Sequence, residues 1–179
     1  GEAPCQGVVI AGDDADILRW PFPLWNLGDA GRYIPDGNVI ARHPDRYRVH
    51  ALTAQSRVEE LADLASRFDA AVAVIGDRAL EPALRAALKE RGAAAVARSG
   101  AAALVEVAAA DEADTVLAAI VGAAGMMSTL AAAHAGKRVL LANKEAIVCA
   151  GQLLLSALDA AGGELLPVDI IEFVAVPVA

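Results

Sequence analysis

The stretch RVLLANKEAIVCAG, Arg138 to Gly151, interrupts an apolar run with Asn143, Lys144 and Glu145: an amide, an ammonium and a carboxylate in succession. Two readings of this trio stand side by side. The first is a helix start, with Asn143 as the cap and Glu145 placed favourably on the helix dipole. The second is a ligand contact, because ligands of open α/β sheets bind beyond the carboxyl ends of the strands. Four other strand-like runs end on ALTAQSR, VIGD, IVGAAG and LPVD, which gathers glycines, small residues and Asp169 at such ends. Gly122 and Gly125 serve either tight turns with close helix packing or the close approach of backbone to a cofactor. Asp169 is a hard oxygen donor, but Mg²⁺ and Mn²⁺ need several such ligands, so one carboxylate does not make a site.

The elements that must position these residues are legible from Tyr47 onward. YRVHALTA is a short β-like run, and RVEELADLASRF places Val58, Leu61, Leu64, Ala65 and Phe68 at helical spacing. AAVAVIGD is a buried strand, and ALEPALRAALKERG is a helix closed by Gly92. AAAVARSG gives a weak strand, AALVEVAAADEA a helix and DTVLAAIVG a strand ending in glycine. MMSTLAAAHAGK is a short helix ended by Gly136, RVLLAN a strand, KEAIVCAGQLLLSALDAAGG a helix and ELLPVD a last strand. Six strands are expected from Tyr47 to Asp169, with at least one before them. Near-continuous apolar strands separated by helices predict an α/β fold: one doubly wound, mostly parallel, Rossmann-like sheet in a single domain. Val139 to Ala142 is expected to be an interior parallel strand, with Asp169 ending another on the same edge.

Bulk composition narrows the function classes. The chain has 179 residues, is 56% hydrophobic, 21% charged and only 4% aromatic, and carries a formal net charge of -8. It should fold around one sizeable core. The negative charge argues against generic nucleic-acid binding, and no apolar run reaches the roughly 18 residues of a membrane span. The start of the chain lacks a basic region followed by an apolar one, so secretion is not indicated. Cys5 and Cys149 do not make a disulfide framework, and a reducing, cytoplasmic setting is expected. Cys149 lies in an apolar helical pattern and is predicted to be a small buried hydrophobe.

AAIVGAAGMMSTLAAAHAGKRVLLANKEAIVCAG followed by LLPVD, with IARHPDRYRVHALTA upstream, resembles the NADPH-binding domain of the 1-deoxy-D-xylulose 5-phosphate reductoisomerase family. The similarity covers about Gly28 to Asp169 and is strongest from Ala118 to Asp169. It implies an NADPH- and divalent-metal-dependent enzyme of isoprenoid biosynthesis by the methylerythritol phosphate pathway. Such an enzyme converts its ketose phosphate into 2-C-methyl-D-erythritol 4-phosphate. By this resemblance Asn143 and Glu145 contact the cofactor, with Gly122 nearby, and Lys144 reaches the substrate as the catalytic residue. Asp169 is implied as a Mg²⁺ or Mn²⁺ ligand. Gln55, Ser56 and Arg57 stand where the family holds the 2′-phosphate, and Arg57 suits that group by charge and fork geometry. A solvated arginine at a helix start is the alternative reading of Arg57.

The chain departs from the family pattern at both ends. After Asp169 the expected Ser-Glu is replaced by IIEFVAVPVA, and Glu172 stands one place too late. At the start, two registers compete for the first strand and its glycine fingerprint. One is GVVIAG, Gly7 to Gly12, followed by the acidic DDAD; the other is PLWNLG with GDAGRYI as fingerprint. The second is preferred, since it keeps Gly28 and Gly31 three apart; with Ala30 they are the candidate pyrophosphate contacts. Asp29 there, or Asp13, Asp14 and Asp16 in the other register, opposes a bound phosphate. The expected organisation is an atypical segment 1–22, an NADPH-binding domain 23–169 and a stub 170–179 where a catalytic domain would begin. The expected function is the cofactor domain of such a reductoisomerase, inactive alone. The alternative is a non-catalytic nucleotide-binding or interaction module on the same scaffold. NADPH is the expected partner, the ketose phosphate binds only with a catalytic domain supplied, and a homodimer is left open.

Overall fold

A computed structural model of the chain describes residues 8–12, 40, 47–120, 125–142 and 144–167. In chain order these form β1 (Val8–Gly12), β2 (Val49–Ala54), α1 (Val58–Arg67), β3 (Val72–Ile75), a 3₁₀ turn (Arg78–Leu80) and α2 (Glu81–Glu90). Then follow β4 (Val96–Ser99), α3 (Gly100–Ala108), β5 (Thr115–Ala119), α4 (Met126–His134), β6 (Arg138–Leu141), α5 (Lys144–Ala161) and β7 (Glu164–Pro167). The seven strands make one sheet in the order β4-β3-β2-β1-β5-β6-β7, and every neighbouring pair is parallel. The chain therefore winds outward from β1 through β4, returns to β5 beside β1, and winds out the other way to β7.

Alternating side chains along the strands separate into two cores, as a sheet covered on both faces requires. Ala73, Ile75, Leu117 and Leu140 pack with Leu61, Leu84 and Leu88 of α1 and α2. Their strand neighbours Val74, Val116, Val139 and Leu141 pack with Val107, Ala132, Leu154 and Leu158 of α3, α4 and α5. The alanines serve close approach: Ala73, Ala132 and Ala133 have no exposed surface, so helices sit low on the sheet. Four helix or turn ends use left-handed glycines, at Gly92, Gly100, Gly136 and Gly162.

Two expectations differ from what is found. The first-strand position between β2 and β5 is held by Val8–Gly12, inside the segment set apart as 1–22, and not by PLWNLG. A strand hydrogen-bonded on both sides favours small and β-branched residues such as VVIAG, and it excludes a proline that cannot donate. Cys149, expected to be buried, is exposed on α5. Ala150, with φ -138 and ψ 16, breaks the helical geometry next to Gly151, so the apolar pattern does not run on one straight face. The weak AAAVARSG strand is real, but it is the edge strand β4, which is why its pattern is faint.

Candidate functional site

Parallel strands carry all their carboxyl ends to one edge of the sheet. The ladder continues past the end of β2: the Gly76 amide donates to the Ala54 carbonyl at 2.8 Å, and the Asp77 amide donates to that of Gln55 at 3.0 Å. The Gln55 side chain lies flat on Gly76, with its Oε1 only 2.1 Å from where a Cβ would stand. Gly76 is thus a seat for an amide, a function the sequence marks only as a glycine at a strand end. The Asp77 carboxylate accepts from the Ala79 amide at 2.9 Å and fixes the following turn. Arg78 in that turn covers Gly100, and Glu81 accepts from the Ser99 hydroxyl, which ties the start of α2 to the end of β4.

Arg57 directly precedes α1 at this edge. Its guanidinium meets the Glu60 carboxylate at 3.5 Å, with 41% of the side chain exposed. An exposed pair of this kind contributes about 0–1 kcal/mol. Glu59 and Glu60 in the first turn of α1 place two carboxylates beside Arg57.

On the other half of the sheet, the Ala142 amide donates to the Ala118 carbonyl at 3.0 Å and carries β6 one residue past its end. α5 then begins at Lys144. β6 is interior, paired with β5 and β7, and Leu141 stands opposite Pro167. The expected interior strand is found, and the strand that precedes Asp169 ends on the same edge as the one that precedes Asn143. α4 enters at Gly125, whose carbonyl accepts from the buried hydroxyls of Ser128 at 3.0 Å and Thr129 at 2.7 Å. Gly28, Ala30, Gly31, Gly122, Asn143 and Asp169 lie outside the described residues, and of Lys144 and Glu145 only the helical backbone is described. Among the described residues no group of three or more His, Cys, Asp or Glu could hold a metal ion, so these residues alone do not fit one. None of the described helices is long and apolar enough to cross a membrane.

The strand order and the reversal of winding between β1 and β5 define an open, doubly wound α/β domain of Rossmann-like class. Its crevice lies beyond Gly12 and Ala119, the paired ends of β1 and β5. The profile of the 1-deoxy-D-xylulose 5-phosphate reductoisomerase family matches residues 37–151, and the chain belongs to that family. It is 56% identical over 132 residues to the reductoisomerase of Janthinobacterium sp. (strain Marseille), covering 74% of this chain and 34% of that protein. The solved reductoisomerase of Zymomonas mobilis in complex with NADPH superposes with a TM-score of 0.76 at 41% identity, covering 93% of this chain and 39% of that one. A DOX-P reductoisomerase solved in complex with magnesium gives a TM-score of 0.75 at 37% identity, covering 92% and 37%. The chain spans about a third of the length of the curated relatives it matches.

Proposed function

We propose that this chain is the NADPH-binding part of a 1-deoxy-D-xylulose 5-phosphate reductoisomerase and does no chemistry by itself. The observation that carries the reading is the shared edge: Arg57 at the end of β2, the start of α5 at the end of β6 and the end of β7 all stand on the carboxyl side of one parallel sheet. Arg57 binds the 2′-phosphate of the adenosine half. Asn143 and Glu145, with Gly122, contact the cofactor. Lys144 reaches the ketose phosphate once the rest of the active site is supplied. NADPH would supply the hydride; the residues of this chain bind and orient it. Asp169 would be one ligand of a Mg²⁺ or Mn²⁺ ion.

Calorimetric titration tests the reading. NADPH is expected to bind more tightly than NADH, and Arg57→Ala should remove that preference. A hydrogen bond to a charged group contributes about 1.5–3 kcal/mol, roughly a 10- to 150-fold loss for NADPH with little change for NADH. Equal affinity for both cofactors in the unsubstituted chain would overturn the assignment of Arg57. The purified chain should not oxidise NADPH in the presence of the ketose phosphate and Mg²⁺; steady metal-dependent oxidation would overturn the statement that it is inactive alone. A second reading, a non-catalytic nucleotide-binding or interaction module, is supported by Ile170, Ile171 and Glu172, which stand where the family places Ser-Glu after its aspartate.

A further inference from the structure

Three residues, Gln55, Ser56 and Arg57, join β2 to α1, and the end of β3 grips the first of them twice. The Asp77 amide donates to the Gln55 carbonyl at 3.0 Å, beyond Ala54 and Ile75, the last paired residues of the two strands. The Gln55 side chain turns toward the same place: its Oε1, Cδ and Nε2 lie 2.1, 2.8 and 3.2 Å from where a Cβ of residue 76 would stand. The whole amide fills that space. Gly76 is not one of the left-handed glycines, so its backbone geometry does not call for glycine, whereas the Gln55 amide does. The grip is itself fixed, because the Asp77 carboxylate accepts from the Ala79 amide and its carbonyl accepts from the Leu80 amide at 3.1 Å. At the other end of the loop the Arg57 carbonyl accepts from the Leu61 amide at 3.1 Å. Only Ser56 separates the gripped residue from Arg57.

We propose that Gln55 and Gly76 act as a pair that positions Arg57 and so sets the preference for NADPH over NADH. This rests on the reading of Arg57 as the contact of the 2′-phosphate. Arginine has a long side chain and loses much rotamer freedom when it is fixed on a ligand. A backbone already ordered before the ligand arrives removes part of that cost, and affinity rises without any new contact. Here the ordering comes from a neighbouring strand: the amide of Gln55 seated on Gly76 keeps the loop from swinging about the single Asp77–Gln55 backbone bond. NADH lacks the 2′-phosphate, so a displaced Arg57 weakens NADPH and leaves NADH alone. Gln55 and Gly76 are thus positioning residues that act through Arg57, and the end of β3 takes part in cofactor choice.

Gly76→Ala unseats the amide, Gln55→Ala removes it, and Q55A/G76A does both. The atoms displaced by a Cβ at residue 76 are the far end of a flexible, exposed side chain, so urea midpoints should stay close to that of the unsubstituted chain. Two measurements on the whole chain carry the test. Without cofactor, exchange of the Asp77 amide, followed by NMR, should quicken about threefold or more in both single variants. In calorimetric titrations each single variant should bind NADPH roughly tenfold more weakly with NADH unchanged, and the double variant should lose no more than either. Unchanged exchange in Gln55→Ala would overturn the proposal, as would additive losses in the double variant. Equal losses for NADPH and NADH would overturn it in favour of a general loosening. If both variants keep the preference while Arg57→Ala abolishes it, the positioning pair is wrong and the assignment of Arg57 stands. If the unsubstituted chain shows no preference, the assignment of Arg57 fails and the pair falls with it.

Discussion

Gly136 offers a quantitative test of how α4, α5 and β6 are locked together. It ends α4 with φ +67, and a Cβ there would stand 2.6 Å from the backbone oxygen of Ala161, the last residue of α5. Gly163 closes the same contact from the other side, since its Cβ would lie 2.8 Å from the Lys137 carbonyl oxygen. Gly92 is the natural control: its φ is +65, yet nothing lies within 4 Å of an added Cβ. Alanine at either position incurs about 1–2 kcal/mol of left-handed strain. Restricting the unfolded chain returns about 0.4–1 kcal/mol. Gly92→Ala should therefore lose about 1 kcal/mol. Gly136→Ala adds a backbone collision that no side-chain rotation relieves, and overpacking of this kind costs about 1–3 kcal/mol. The expected total is about 2–4 kcal/mol. Urea unfolding followed by circular dichroism measures both, with the free-energy difference taken from the midpoints at a common slope. Losses agreeing within about 0.5 kcal/mol would refute the inference that the α4–β6 turn and the end of α5 are in rigid contact.

Further outcomes follow from individual contacts. Leu154, almost wholly buried under α5, should lose about 2–5 kcal/mol on truncation to alanine, read from the same urea curves. Lys137 is buried, and its ammonium donates to the Ala110 carbonyl at 2.8 Å; Lys137→Met keeps the stem, leaves that carbonyl only the Ala113 amide at 3.2 Å, and should lose about 1.5–3 kcal/mol, the contribution of a hydrogen bond to a charged group. Arg91 joins the end of α2 to Asp63 and Glu59 of α1, and the hydrogen bond to Asp63, then that to Glu59, raises its pKa. Added salt should lower the melting temperature of the unsubstituted chain more than that of Arg91→Met.

Most of the fold was legible because a doubly wound sheet writes itself into the sequence twice. Interior strands such as VLAA and VLL are apolar without interruption because both faces are covered, and left-handed glycines at Gly92 and Gly136 punctuate the helices where φ is positive. Where this double signal fails, reading fails with it. β4 is an edge strand with exposed Val96 and Arg98, so its pattern is faint. Cys149 was misread because periodicity assumes an unbroken helix, whereas Ala150 leaves helical geometry midway. Gln55 shows a limit of another kind: its amide is seated on Gly76 by a contact between two strand ends, and no spacing along the chain encodes a contact across strands.

The first strand is the most instructive case, because there a motif competed with a physical requirement. Spacing between Gly28 and Gly31 drew the first strand toward PLWNLG. The innermost strand of the sheet, however, must donate and accept on both sides, and VVIAG does so against β2 and β5. With β1 ending at Gly12, the position immediately after the first strand falls on Asp13, Asp14, Ala15 and Asp16. In folds of this class the pyrophosphate sits at that position, beside backbone N–H groups whose partial positive charge carboxylates offset. If the acidic residues there oppose the cofactor, D13N/D14N/D16N should tighten NADPH binding, and the gain should shrink as salt screens the charges. Calorimetry at low and high ionic strength separates the alternatives. A salt-dependent gain places the repulsion beside β1, whereas unchanged affinity would mean that the phosphates are held away from this loop.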